Sequence, residues 1–189
     1  MMNFPSHYLD TAPADSKPLL EASQKAFGRL PGLHKVLAES PQAYEGYQLL
    51  HKLFTQTAFD ADEMTVVWQS INVENACHYC VPAHTGIAKM MKVSDELTEA
   101  LRNEAPLPTA KLEALRTFTV QMVRERGNVS EAQMQAFFDA GYGHRAVLDV
   151  VLGLAQKTMS NYINHVAETP VDEVFQPLAW TRADTPLKV

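Results

Sequence analysis

The sequence predicts an all-α fold, and three observations lead to this prediction. Apolar residues recur at helical spacing through most of residues 17–166, as they do in helices that bury one face. No stretch alternates apolar and polar residues long enough to indicate a strand. Several apolar runs open with serine, threonine or aspartate, which cap helix N-termini. With 189 residues, 46% of them hydrophobic and 20% charged, we expect one compact multi-helix domain over 1–189.

The first part of the chain is predicted to hold an extended arm and then four helices. Residues 1–15 are expected to form the arm. Ser40-Pro41 joins a capping residue to a proline suited to the first turn, so it marks a helix start. Asp60 or Asp62 can cap the helix after that one. The four helices are expected at about 17–28, 33–37, 41–54 and 63–75.

In the second part, Pro82 fixes where the next helix begins. Proline lacks an N–H and fits only the first turn of a helix, so this helix should begin near His78 and run to Met91. The helix at 144–166 is apolar on several faces, which predicts a central position or an interface. Residues 169–189 are expected to form an irregular tail. The other helices are expected at about 94–102, 111–126 and 130–140.

The two cysteines of the chain, Cys77 and Cys80, are separated by two residues. A close pair with no other cysteine indicates a redox pair or half of a metal site. The pair falls at the predicted helix start, where free N–H groups and the helix dipole favour a thiolate. Positions three apart on a helix are also near enough for a disulfide after a small adjustment.

Two further residues are candidates for proton transfer at this dithiol. His84 lies four residues after Cys80, so it shares a helical face with the thiol and can exchange a proton with it. Glu74 lies just before the turn and can orient that histidine directly or through water. The candidate catalytic residues are therefore Cys80, Cys77, His84 and Glu74.

Other interpretations of the same residues remain open. Two cysteines on a helix can be small buried apolar residues, and a glutamate near a helix end is usually solvated. A histidine on an apolar face can be a hydrogen-bonded core residue. Cys77, Cys80 and His84 can also be three ligands of a zinc site, but no second cluster supplies the fourth. Later in the chain, Asn161 and His165 share a helical face and line either a pocket over the dithiol or a solvated helix end.

The run from Cys77 to His84, with Glu63 and the apolar helix before it, resembles the core motif of the alkyl hydroperoxidase D branch of the carboxymuconolactone decarboxylase superfamily. The resemblance is greatest to peroxidase-related members of about this length. It implies an alkyl hydroperoxidase D-like helical bundle in which Cys80 attacks a peroxide and Cys77 resolves the sulfenic acid into a disulfide. It further implies that His84 belongs to a proton relay and that the protein is a homo-oligomer, usually a trimer or hexamer.

The sequence departs from the family pattern at two places. The relay glutamate of alkyl hydroperoxidase D, twelve residues before the first cysteine, is replaced here by Thr65, and Glu74 or Glu63 can substitute for it. The histidine directly before the second cysteine is replaced by Tyr79, with His78 one place earlier. Both departures concern the relay and leave the dithiol intact.

The predicted function is a dithiol peroxidase that reduces alkyl hydroperoxides through a Cys77–Cys80 disulfide cycle. Its partners would be a small peroxide and a thiol reductant or redox adaptor protein; no metal, haem or flavin is implied. A net charge of −6 without a basic cluster argues against nucleic acid, and the apolar runs are too short for a membrane span. The first residues resemble no secretory signal, so we expect a cytoplasmic protein.

Three alternatives stand beside this function. One is a general thiol–disulfide oxidoreductase that uses the same residues without a peroxide. Another is a redox sensor whose disulfide changes its assembly with no turnover. The third is the lactone chemistry of the wider superfamily, against which the cysteine pair argues. The helix-start argument activates Cys77 as much as Cys80, so physical reasoning alone leaves the identity of the attacking cysteine open.

Overall fold

The computed structural model describes residues 4–182, and within that range all regular secondary structure is helical, as predicted. Residues 1–3 of the expected arm and 183–189 of the expected tail lie outside the described residues. Residues 4–13 have no regular secondary structure. The described helices are α1 (Lys17–Phe27), α2 (Gly32–Leu37), α3 (Pro41–Phe54), α4 (Ala61–Glu74), α5 (Cys80–Met90), α6 (Asp95–Arg102), α7 (Ala110–Arg124), α8 (Glu131–Asp139) and α9 (His144–Ala167), with 3₁₀ segments at Ala14–Ser16 and Glu173–Leu178.

Helix starts follow the capping residues in the sequence. Ser40 caps α3, and its hydroxyl accepts a hydrogen bond from the Ala43 N–H. Of the two candidate caps for α4, Asp60 is the one used, and it forms a reciprocal capping box with Glu63. α5 begins at Cys80, about two residues later than predicted. The segment before it is a turn, because Ala76 adopts a left-handed conformation (φ 49°) that ends α4.

Helix α4 lies at the centre, in contact with α5, α6, α7 and α9. Two apolar clusters form on either side of it. The larger is built mainly from α4 and α6 to α9 around Trp68 and Phe118, and it includes Phe54 of α3 and Ala88 of α5. The smaller joins α1, α2 and α3 to the dithiol segment and includes Cys77, Tyr79 and Cys80. The dithiol is therefore enclosed by the N-terminal helices on one side and by α4 and α9 on the other.

Helix α9 buries polar residues and exposes apolar ones. Its buried face carries Gln156, Lys157, Ser160, Asn161 and Asn164. Its outer face exposes Leu148 (68%), Val151 (42%), Tyr162 (58%) and Val166 (69%). This reversed pattern brings a polar face onto the dithiol and leaves an apolar face at the surface.

The chain after α9 returns across α5, and we call residues 169–182 the C-terminal strap. Asp172 anchors it by accepting hydrogen bonds from the Arg29 guanidinium, the Gly32 N–H and the Tyr79 hydroxyl. Phe175 packs directly against Gly86 of α5, where an added Cβ would clash with the ring. None of the described helices has the length and hydropathy to cross a membrane.

Candidate active site

The turn between α4 and α5 places the two thiols side by side. The Cys77 N–H donates to the Asn72 carbonyl, which holds this turn against the end of α4. The Cys80 N–H, at the start of α5, donates to Cys77 Sγ over 3.3 Å. The thiols are within hydrogen-bonding distance of each other, and both are free. Because Cys77 lies before the helix and Cys80 within its first turn, both sulfurs lie near the positive end of the α5 dipole.

The surroundings favour a thiolate on Cys80 and a thiol on Cys77. Burial raises the pKa of Cys80, whereas the hydrogen bond from Cys77 and the positive charge of Lys157 lower it. Hydrogen bonds from the Asn164 and Asn161 amides act in the same direction, and the resulting pKa of Cys80 is about 6. The pKa of Cys77 is raised because its proton is shared with Cys80 and because it is buried. The surroundings therefore act on the two thiols in opposite directions, with the Asn164 amide bound to Cys80.

Asn164 contacts the sulfur directly, since its Nδ2 donates to Cys80 Sγ over 3.2 Å. Asn161 joins a second chain of amides: it donates to Asn72 Oδ1 and accepts from Asn75 Nδ2, each over 2.9 Å. Asn72 in turn donates to Gln69 Oε1 over 3.0 Å. These buried amides hold α4 and α9 in register around the dithiol, so Cys80 sits among fixed hydrogen-bond donors.

His84 pairs with a buried lysine. Lys157 is 1% exposed, and its Nζ lies 2.8 Å from His84 Nε2. Burial and the charges of Lys157 and His51 lower the pKa of His84 well below its ordinary value. Burial lowers the pKa of Lys157, whereas the charges of Cys80 and Cys77 raise it. While Lys157 is charged, His84 Nε2 accepts its hydrogen bond and the ring proton lies on Nδ1. His84 Nδ1 is buried and has no hydrogen-bond partner among the described residues.

A cavity of about 290 Å³ opens beside this cluster, and Cys80, His84 and Lys157 form part of its wall. The wall is otherwise mainly apolar and aromatic. Burial lowers the pKa values of two further lining histidines, His34 and His51, to about 4 each, so both are neutral at neutral pH. The apolar contributors come from α1, α2, α3, α5 and the C-terminal strap: Phe27, Leu33, Tyr47, Ile87, Met90 and Phe175.

Three of the four predicted catalytic residues come together: Cys77, Cys80 and His84. Glu74 does not join them, because both its carboxylate oxygens accept hydrogen bonds from Arg124 on α7, at 2.7 and 2.8 Å. It lines a separate groove beside α7. The structure therefore offers no orienting contact between Glu74 and His84.

The other residues weighed as relay members also lie elsewhere. Glu63 caps α4 and pairs with Lys111 over 2.9 Å. Thr65 donates to the Ala61 carbonyl within α4. Tyr79 and His78 bind the C-terminal strap, through Asp172 Oδ2 and the Thr169 carbonyl respectively.

Sequence reasoning missed Lys157 and Asn164. One signal in the sequence could have found them. Positions 157, 161 and 164 lie on one helical face, so Lys157 and Asn164 share the face of Asn161 within a largely apolar helix. Of the pair expected over the dithiol, Asn161 is buried there and His165 is half-buried. Among residues 4–182, no group of three or more His, Cys, Asp or Glu side chains is arranged to hold a metal ion.

Comparisons with known proteins identify the fold. No protein-family model matches the chain, and no curated protein matches its sequence. Among solved structures, one similar fold is an uncharacterized peroxidase-related protein from Ralstonia eutropha JMP134, described as an alkylhydroperoxidase AhpD core. It has a TM-score of 0.80 and 19% identity over 92% of this chain and 93% of that chain.

Two further similar structures extend the comparison. An uncharacterized peroxidase-related protein from Silicibacter sp. TM1040 has a TM-score of 0.76 and 18% identity, over 93% of this chain and 96% of that chain. The debrominase Bmp8, as a cysteine-to-alanine variant in complex with 2,3,4-tribromopyrrole, has a TM-score of 0.75 and 13% identity, over 94% and 95% of the two chains. The chain therefore has the alkyl hydroperoxidase D-like fold that its motif predicts.

Proposed function

We propose that this protein is a dithiol peroxidase that reduces organic hydroperoxides through a Cys77–Cys80 disulfide cycle. The observation that carries the proposal is the Cys80 sulfur, which lies on the wall of an apolar cavity with a buried ammonium and an amide donor around it. A thiolate is the nucleophilic form of cysteine. A stabilised thiolate facing a cavity of small-molecule size is suited to attack a bound electrophile.

In the proposed oxidative step, the Cys80 thiolate attacks the terminal oxygen of ROOH. An S–O bond forms, the O–O bond breaks, and one proton converts the departing alkoxide into ROH. The products are a Cys80 sulfenic acid and an alcohol. The Cys77 thiol then attacks the Cys80 sulfur, forming the disulfide and releasing water. An external dithiol restores both thiols and is itself oxidised.

His84 and Lys157 supply the proton in this scheme. Both side chains form part of the cavity wall beside Cys80, and they share a hydrogen bond of 2.8 Å. The pair gives one proton to the alkoxide and regains it when the external dithiol, which releases two protons, restores the Cys80 thiolate and the Cys77 thiol. Lys157 thus takes the place that the sequence analysis gave to Glu74. It also balances the charge of Cys80 before attack.

Steady-state kinetics separate the peroxidase from its rivals. We expect the wild type to consume cumene hydroperoxide with dithiothreitol as reductant, and both Cys80→Ser and Cys77→Ser to lose turnover. A general thiol–disulfide oxidoreductase would reduce a disulfide substrate and leave peroxide intact. A redox sensor would form its disulfide once and change oligomer size without turnover. Lactone chemistry would survive the Cys80→Ser substitution.

Reductive dehalogenation is a second candidate, favoured by the apolar cavity beside Cys80 and by the similar fold of the debrominase Bmp8. Here ArBr and two thiols would give ArH, a disulfide, bromide and a proton. Bromide release from 2,3,4-tribromopyrrole with dithiothreitol tests it directly. Release that depends on both cysteines, without peroxide consumption, would replace the peroxidase proposal.

We also infer a cytoplasmic homo-oligomer, as a trimer or hexamer, with one domain over 1–189. The exposed apolar residues on the outer face of α9 and on α3 support the assembly. Light scattering of the purified protein measures the subunit number, and Val166→Glu should weaken the assembly. A monomer at micromolar concentration would contradict the inference.

A further inference from the structure

His51 is a cavity residue that the proposed mechanism does not use. It lies in the last turn of α3, on the wall of the cavity that also includes Cys80, His84 and Lys157. Its pKa is lowered to about 4, because the side chain is buried and the charge of Lys157 acts on it. The imidazole is therefore uncharged at neutral pH, so one ring nitrogen donates a hydrogen bond and the other accepts one.

A chain of hydrogen bonds shows which nitrogen of His51 carries the proton. The Trp68 indole N–H donates to Gln156 Oε1 over 2.7 Å. An indole nitrogen can only donate, so the Gln156 amide turns its oxygen to Trp68 and its NH₂ group to His51. Gln156 Nε2 lies 3.1 Å from His51 Nδ1. Because the NH₂ group is a donor, Nδ1 accepts and the ring proton lies on Nε2.

The orientation of the His51 ring is fixed as well. The ring stacks on Tyr47, with 6.3 Å between centroids and 23° between planes, and on Trp68, with 5.7 Å and 13°. Since Nδ1 is bound to Gln156, Nε2 is the polar atom of this ring that remains for the cavity. Within residues 4–182, no group accepts a hydrogen bond from Nε2. His51 therefore contributes an uncharged N–H donor with a fixed direction to the cavity wall.

Most other polar groups on this wall are already paired. Arg29 and Tyr79 both bind Asp172, over 2.8 and 2.9 Å, and Lys157 binds His84. A ligand that fills the cavity removes water from the donor. A hydrocarbon ligand then leaves the N–H unsatisfied, whereas a ligand with an acceptor oxygen satisfies it. The cavity should therefore discriminate between ligands of equal size by one acceptor atom.

We propose that His51 is a specificity-determining residue whose Nε2–H binds an uncharged oxygen, a carbonyl or an ether, in the organic part of the substrate. This inference rests on the proposed peroxidase function and names its substrate class: hydroperoxides that carry such an oxygen in addition to the peroxide group. A carboxylate does not suit the site, because one uncharged donor does not compensate for its lost hydration. Gln156 is a positioning residue, since it acts through His51.

Binding of two isosteric probes tests the donor without any peroxide. Acetophenone and α-methylstyrene differ only in a carbonyl oxygen that replaces a CH₂ group. Their dissociation constants are measured by NMR titration of the reduced full-length wild type, His51→Phe and His51→Gln. Phenylalanine keeps a ring for stacking and has no donor, whereas the glutamine amide keeps an N–H donor.

The quantity compared is the dissociation constant of α-methylstyrene divided by that of acetophenone. We expect this ratio to fall about fivefold to tenfold from wild type to His51→Phe, the effect of one neutral hydrogen bond, and to recover in part in His51→Gln. His144→Phe is the matched control and should keep the wild-type ratio. His144 is exposed at the start of α9, where its ring lies 4.8 Å from that of Phe138, and it is not a cavity residue. The same ratio in wild type and His51→Phe, or no saturable binding of acetophenone, would overturn the proposal.

Nitrogen NMR of histidine-labelled protein tests the tautomer in the wild type itself. At neutral pH, His51 should show a protonated Nε2 and an unprotonated Nδ1, and acetophenone should shift the Nε2 signal. Gln156→Met removes the bond at Nδ1, so both tautomers should then appear, an effect that a purely structural role of Gln156 would not produce. A proton on Nδ1 in the wild type, or an Nε2 signal that acetophenone leaves in place, would overturn the proposal.

Steady-state kinetics connect the donor to the reaction. 2-Hydroperoxytetrahydropyran and cyclohexyl hydroperoxide differ in a ring oxygen that replaces a CH₂ group. The ratio of their kcat/KM values should fall about fivefold to tenfold in His51→Phe, and their intrinsic reactivities cancel when the two proteins are compared. The probe preference without peroxide turnover would support the His51 donor and refute the peroxidase. Turnover with the same ratio in both proteins would refute the role of His51 and leave the peroxidase intact.

Discussion

Replacement of Lys157 by methionine tests how the protein generates its thiolate. Lys157 is buried, and its Nζ contacts His84 Nε2 over 2.8 Å. Its charge is one of the groups that lower the pKa of Cys80 against the opposing effect of burial. Methionine has similar length and no charge, so Lys157→Met removes the cation and leaves the packing nearly unchanged.

The structure sets the magnitude of the effect. With a Cys80 pKa of about 6, roughly nine-tenths of this thiol is ionised at pH 7. Without the cation, burial dominates, and we expect the pKa of Cys80 to rise by about 2 units or more. The thiolate fraction at pH 7 then falls about tenfold or further. A more basic thiolate is intrinsically more nucleophilic, with a Brønsted slope of about 0.4–0.5. The rate of reaction with peroxide at pH 7 therefore falls by a smaller factor than the thiolate fraction does.

The readout is therefore the pH at which the thiolate forms. Thiolate absorbance in the ultraviolet is recorded against pH in the Cys77→Ser background, where the hydrogen bond from the Cys77 thiol is absent from both proteins. The inflection should lie about 2 pH units or more higher in Lys157→Met than with Lys157 present. Lys111→Met is the control, since Lys111 is exposed and pairs with Glu63 away from the dithiol. An inflection at the same pH in Lys157→Met and in the protein with Lys157 would refute the assigned role of this lysine.

Three further predictions address the strap, the buried histidines and the relay. Gly46→Ala should stabilise α3 by up to about 1 kcal/mol, because nothing lies near the new methyl group. Gly86→Ala should destabilise the fold, because its methyl group meets the Phe175 ring of the C-terminal strap. Urea unfolding measures both changes in the free energy of unfolding, and equal effects would contradict the packing argument. His34 and His51 have pKa values of about 4 in the folded protein, so between pH 6.5 and 4 the unfolded chain binds more protons at these two residues than the folded protein does. The free energy of unfolding should therefore fall as the pH drops through this range, by roughly 3 kcal/mol for each histidine. Stability that is flat across this window would contradict their neutral burial. Glu74→Gln should keep peroxide turnover within about twofold, since its surface ion pair contributes little; a loss of tenfold or more would return this glutamate to the relay.

The fold was predictable because its signals are local. Caps at Ser40, Asp60 and Ser94 and the helical spacing of apolar residues depend on neighbours within a few positions, and the helices formed where they indicate. The dithiol was predictable for the same reason, because Cys77, Cys80 and the start of α5 are consecutive in sequence.

The partners of His84 could not be predicted, because they depend on which helix packs over it. Glu74 is close in sequence but points to Arg124, whereas Lys157 is 73 residues away and lies 2.8 Å from His84. A lysine within an apolar helix is ordinarily solvated, and here the helix turns its polar face inward. The spacing of the polar residues on α9 is a local pattern, but which face of the helix is buried depends on how α9 packs against α4 and α5.

The central claim is that Cys80 attacks the peroxide and Cys77 resolves it, and a single-turnover experiment tests it most directly. Reduced Cys77→Ser and Cys80→Ser proteins are each mixed with cumene hydroperoxide, and peroxide loss and sulfenic acid are measured by dimedone labelling and mass spectrometry. We predict that Cys77→Ser consumes one equivalent, far faster than free cysteine, and carries the label on Cys80. We predict that Cys80→Ser reacts no faster than free cysteine. A label on Cys77 in a fast-reacting Cys80→Ser protein, or slow reaction of both variants, would contradict the account.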